Sequence, residues 1–226
     1  MARLARVVIP GIAHHVTQRG NRRLQTFFYD AGYTAYLDLM ASSCSSACVA
    51  VLAYCLMPNH VHLVLVPTRT DGLRRAIAET HRGYAAAINR RQGWRGHLWQ
   101  ARFHSFPLDE DHLIAAVRAV ELNPVRAQMV ATPEAWRWSS ARAHVAERPD
   151  DLVSCDKPPP LDSVGPWAGF LADGLSKVHV ECLRRHQQSG RPPGGDAFVR
   201  RLELLTGRDL MAKSAGRPER DATAVN

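Results

Sequence analysis

The stretch that most constrains the fold is VAVLAYCLMPNHVHLVLVP, residues 49–67. Two apolar, β-branched runs, Val49 to Leu56 and His60 to Val66, are separated by Met57-Pro58-Asn59. Runs of that length around a proline-containing turn predict a β-hairpin. Helical spacing flanks it on both sides. Asp30 to Cys48 predicts a helix with Asp30 as its N-cap, and a second helix starts at Asp71 and runs to about Gln92. Ile12 to Gly20 reads as a first strand and the surroundings of Phe103 as a fourth. Asp109 opens a further helix that Pro124 must end, because the residue before proline is pushed out of the α region. The order β-α-β-β-α-β-α, with a hairpin at its centre, predicts an α+β fold: a mostly antiparallel sheet with helices packed on one face.

Residues 1–147 form one domain in this reading. Residues 148–170 are proline-rich and predict a linker. Residues 171–226 form an extension, with helices at Leu171 to Gln188 and Asp196 to Leu205 and a flexible basic end. No apolar run approaches the length needed to cross a bilayer, so no membrane partner is expected. The five cysteines form no CxxC pair. Cys44 and Cys48, at i,i+4, read as small core residues, and the first residues lack the features of a secretory signal. Together these point to a reducing, cytoplasmic setting.

Within the hairpin, two histidines stand one residue apart. Residues i and i+2 of a strand share a face, so His60 and His62 present their imidazoles side by side. Neutral imidazole is a common ligand for divalent metals, and two such ligands leave room for substrate oxygens. The other reading is a pair of structural histidines satisfied by hydrogen bonds.

The flanks bear on that choice. MPNHVHLVLVP, together with HHVTQRGNRR, GWRGHLWQARFHSFPLDEDHL and VELNPVRAQMV, resembles the REP-associated tyrosine transposases, a branch of the HUH single-strand endonucleases. The four blocks appear in family order over residues 11 to 145. The resemblance implies a ferredoxin/RRM-like nuclease fold that binds single-stranded DNA folded as palindromic hairpins. It also implies Mg²⁺ or Mn²⁺ at His60 and His62, with Asn123 as a further ligand. Helix capping is the alternative role for Asn123. In such enzymes a tyrosine attacks the phosphate, leaving a 5′-phosphotyrosine and a free 3′-hydroxyl. Relatives are often dimeric, which leaves a homodimer open.

One departure is decisive. The usual tyrosine stands four residues before the asparagine, and here that position is Ala119 in VRAVELNPVR. A methyl group cannot attack phosphorus. Tyr84, in HRGYAAAINRR, is the weak substitute. Natural loss and an introduced Tyr→Ala change both predict metal and DNA binding with no covalent adduct. Three functions therefore stand: a cleavage-deficient transposase-family protein, a hairpin-binding protein without chemistry, and a metal-dependent phosphoester hydrolase using water.

Charge supports a nucleic-acid partner. The net charge is +8, and nearly every basic residue is arginine, which suits phosphate oxygens better than lysine does. Arg74, Arg75, Arg82, Arg90, Arg91, Arg95 and Arg102 crowd one region, interleaved with Trp94, Trp99 and Phe103. Arginines for phosphates and aromatics for stacking suit single-strand binding; a solvated arginine face over core aromatics is the alternative. Arg118 is a further candidate for a phosphate. Two Gly-Arg-Pro triplets, around Arg191 and Arg217, suggest auxiliary minor-groove contacts.

Overall fold

The apolar hairpin forms, and the sheet is completed around it. The computed structural model describes residues 6–148, 150–153 and 158–211. Strands β1 (His14–Arg19), β2 (Val49–Met57), β3 (His60–Pro67) and β4 (His104–Pro107) form one sheet in the order β2-β3-β1-β4. Every pairing is antiparallel. Helix α1 (Asp30–Ser46) links β1 to β2, and α2 (Gly72–Gln92) links β3 to β4. Both lie on one face, where Val16, Tyr54, Leu63 and Leu65 of the sheet meet Tyr36, Met40, Ile77 and Tyr84.

The opposite face is not left bare. Helix α3 (Glu110–Glu121) packs there, its Leu113, Val117 and Val120 joining Ala53, Cys55, Val64 and Phe106 of the sheet in a second core. The expectation of helices on one face therefore holds for α1 and α2 and is extended by α3. The reason lies in β2 and β3, which are apolar on both faces. Leaving one face in water would forgo about 1.5–3 kcal/mol for each large side chain. Asp109 caps α3, its Oδ1 accepting from the His112 backbone N–H at 2.9 Å. The helix ends at Glu121, and a short turn, α4 (Asn123–Arg126), carries Pro124.

Two local expectations fail. Asp30 does not cap α1. Tyr29 takes that position, and the Asp30 carboxylate accepts instead from the Arg137 guanidinium at 2.8 Å. Cys48 is exposed, with φ of +52° beyond the end of α1, so Cys44 alone of that pair is core.

Beyond α3 the chain continues as α5 (Ala141–Ala146), α6 (Pro159–Asp162), α7 (Trp167–Ala172), α8 (Lys177–Ser189) and α9 (Asp196–Thr206). The proline-rich stretch read as a linker supplies Leu161, Trp167 and Phe170 to the second core. Its prolines start helices rather than hold two bodies apart. The helix expected over Leu171 to Gln188 is divided between α7 and α8 at Gly174, whose φ is +70°. At the centre of this region the buried Glu121 carboxylate accepts from Ser140 Oγ at 2.5 Å, His144 Nδ1 at 2.6 Å and Trp167 Nε1 at 2.7 Å. Arg217 lies outside the described residues.

Candidate metal and nucleic-acid site

Strand register decides which side chains meet. Thr17 lies opposite His62, Arg19 opposite His60, and His104 opposite Thr17, so these residues share the α3 face of the sheet. They floor a cleft of about 640 Å³. One wall comes from the α3–α4 junction, with Ala119, Asn123 and Arg126. The other comes from α8, with Leu183, Arg184 and Gln187. His60, His62, Asn123 and Ala119, separated by some sixty residues of chain, thus line one cavity.

The two imidazoles are held in distinct ways. His60 Nδ1 donates to Asn59 Oδ1 at 2.6 Å, which leaves Nε2 with a free lone pair. Asn59 itself is anchored, its amide donating to the Arg23 carbonyl at 2.9 Å. His62 Nδ1 shares a hydrogen bond with His15 Nε2 at 3.2 Å, the two rings stacked 5.4 Å apart. Burial pushes the His60 pKa down to about 4, and the Arg19 charge pushes the same way. For His62 burial again comes first, followed by His60, His15, Arg19 and Arg126, and the ring is held well below its ordinary value. Both are neutral at pH 7, the form that ligates metal. Among the described residues there is no group of three or more His, Cys, Asp or Glu side chains placed to hold an ion. A third protein ligand would therefore be of another type. Asn123 is of such a type, and it lines the same cleft as the two histidines.

Electrostatically the cleft is one-sided. Arg19, Arg126 and Arg184 line it, and among the described residues no aspartate or glutamate does.

A family model, "Transposase IS200 like", matches residues 9–121. The chain belongs to the IS200-like transposase family. The IS200-like match ends before Asn123, Arg126 and α8, so part of the cleft wall lies beyond it. A solved REP-associated tyrosine transposase bound to a REP hairpin superposes with a TM-score of 0.56 at 20% identity, covering 69% of this chain and 93% of the other. At that identity the likeness concerns the fold. A putative transposase from Deinococcus radiodurans R1 matches with a TM-score of 0.38 at 17% identity, over 57% of this chain and 92% of that one. No curated protein matches. No described helix of this IS200-like chain is long and apolar enough to cross a membrane.

Several other candidates are placed differently. Tyr84 is 1% exposed on the α1–α2 side of the sheet, and its hydroxyl donates to the Thr26 carbonyl at 2.9 Å. Across the sheet from His60, it cannot stand in as nucleophile. Trp99 is buried, stacked on His81 at 4.4 Å and donating to the His81 carbonyl at 3.3 Å. The exposed aromatic of that loop is Trp94, at 49%. Arg118 packs over the Phe170 ring at 4.2 Å, with Asp173 3.7 Å from its guanidinium, and so binds α3 to α7. The Arg191 guanidinium donates to the Leu210 carbonyl at 2.7 Å and to that of Met211, which leaves no extended arm for a minor groove.

The arginine-rich segment makes a separate surface. Arg74, Arg75, Arg82, Arg90, Arg91, Arg95 and Arg102 are all exposed, and none lines the histidine cleft. Arg91 stacks on Tyr29 at 3.7 Å, and Arg82 pairs with Glu79 at 2.5 Å. Arg74, Arg82 and Arg102 border a second cavity of about 320 Å³ beside α2. His15, Arg19, His104, Arg126 and Arg184 were not singled out from sequence. A signal existed for some of them: His15 and Arg19 fall within HHVTQRGNRR, and Arg126 follows Asn-Pro directly.

Proposed function

We propose that this IS200-like transposase binds single-stranded DNA folded as a hairpin, and that it holds the strand without cutting it. One backbone phosphate enters the histidine cleft, where His60, His62 and Asn123 hold Mg²⁺ or Mn²⁺. Such an ion supplies positive charge to a phosphate oxygen. The protein's own residues do the rest. Asn59 orients the His60 ring, Arg19 and Arg126 add charge that favours an anion, and α3 presents residue 119 to the strand. The exposed arginines of α2, with Trp94 beside them, take the sugar–phosphate backbone outside the cleft.

The observation that carries this reading is the convergence of His60, His62, Ala119 and Asn123 on a cleft that, among the described residues, is lined by arginines and no acids. It also weighs against a hydrolase, because among the described residues no carboxylate lines the cleft to orient or deprotonate a water.

The test uses a labelled hairpin with single-stranded flanks and Mn²⁺. The protein retards the hairpin on a native gel, and a denaturing gel shows neither a cut nor an adduct. Ala119→Tyr restores a phenol in the cleft and yields a covalent protein–DNA species. Cutting by the unaltered protein, or an Ala119→Tyr variant that binds Mn²⁺ and hairpin yet forms no adduct, overturns the assignment of position 119.

A further inference from the structure

The second wall of the cleft comes from far along the chain. On α8, Val180, Leu183, Arg184 and Gln187 recur at helical spacing and face the cleft together. The helix is anchored there. Leu183 is 5% exposed in the second core, and the Gln187 carbonyl accepts from His104 Nδ1 at 2.9 Å. Arg184, adjoining the buried Leu183, is exposed and lines the cleft.

Arg126 lines the opposing wall, on the turn after Pro124. Among the described residues neither guanidinium has an acidic partner. The Arg126 guanidinium is held below its ordinary pKa first by burial and then by the Arg184 charge. Two guanidiniums on opposing walls of one cavity, which no acid lines among the described residues, favour an anion between them. An arginine fork matches phosphate oxygens geometrically, and an anion between two forks turns their repulsion into shared attraction.

We propose that Arg126 and Arg184 form a two-sided clamp for one backbone phosphate of the single strand, which makes the C-terminal helix α8 part of the DNA site. The clamp rests on the reading that the cleft receives single-stranded DNA, and it adds a phosphate position supplied from outside the family-matching segment.

The test measures binding of a labelled oligothymidylate with Mn²⁺ across a salt series. Arg126→Ala and Arg184→Ala each weaken binding about tenfold, as expected for a lost charge-assisted hydrogen bond. Each also lowers the slope of log affinity against log salt by about 0.7, the value for one phosphate contact on a single strand. Arg185→Ala, which removes the same charge from an exposed neighbour outside the cleft, changes affinity less than twofold. The double variant loses less than the product of the single losses, because both arginines grip one phosphate. Equal effects at 184 and 185, or losses that multiply independently, overturn the clamp. A His60→Ala/His62→Ala variant reports on the underlying reading: unchanged binding there places the strand elsewhere and removes the clamp with it. Melting temperatures within a few degrees of the parent confirm that α8 stays folded in each variant.

Discussion

At the scale of single residues, the cleft depends on side chains outside its lining. Asn59 is the clearest. It sits in the tight β2–β3 turn, and its Oδ1 decides which nitrogen of His60 carries the proton. Without it the ring is free to turn and to swap tautomers. Asn59→Ala is therefore expected to weaken Mn²⁺ binding about 10–100-fold while leaving the melting temperature nearly unchanged, measured by calorimetric titration and thermal melting. Gly20 supports the same turn. Its N–H donates to the Asn59 carbonyl at 2.8 Å, and a Cβ there would lie 2.2 Å from the Leu24 carbonyl oxygen. The pair at 60 and 62 was legible because strand periodicity puts both rings on one face. His15 and Arg19 fall within a family-like block, but only the register of β1 against β3 brings them alongside the pair. Trp99, Arg118 and Arg191 mislead for a complementary reason: residue type does not reveal whether a side chain has found an internal partner.

At the scale of elements, the join between α3 and α8 carries a pH dependence. Asp109 Oδ1 caps α3 and also lies 2.6 Å from His112 Nδ1, while His112 Nε2 lies 3.5 Å from Cys182 Sγ on α8. The hydrogen bond that His112 donates to Asp109 raises the His112 pKa above 6.5, against the opposing effect of burial. For Asp109 burial pushes upward, and the bonds from His112 outweigh it to give a net lowering. A raised imidazole contributes stability that is fully present below pH 6.5 and lost as pH rises through the folded-state pKa. Asp109 contributes above its ordinary carboxylate range and loses that contribution on acidification. The melting-temperature gap between the protein and His112→Ala should accordingly be widest near pH 6 and narrow toward pH 9. A gap independent of pH would assign the join to packing alone. The elements themselves were largely readable: the apolar runs gave the hairpin, and Asp109 gave the start of α3. The break between α7 and α8 was not, because Gly174 is tolerated within a helical pattern and only the packed structure shows its positive φ.

At the scale of the whole molecule, two cores share one sheet, and the second is completed by chain beyond the family-matching segment. Glu121 joins its parts, with donors from residues 140, 144 and 167 converging on one carboxylate. Trp167→Phe keeps the ring and removes the indole donor, and is expected to cost about 1–3 kcal/mol in chemical denaturation. The proline-rich stretch could not be recognised from composition as part of this core, because composition does not show where an aromatic side chain lands. The same carboxylate sets a limit on how far the chain can be shortened. A fragment trimmed to residues 9–121 would end on an acid stripped of its donors at residues 140, 144 and 167, against apolar surface that Leu161, Trp167 and Phe170 cover in the full chain. The smallest piece of this protein able to stand alone must therefore reach past Trp167, well beyond the boundary that family likeness would suggest to anyone cloning it.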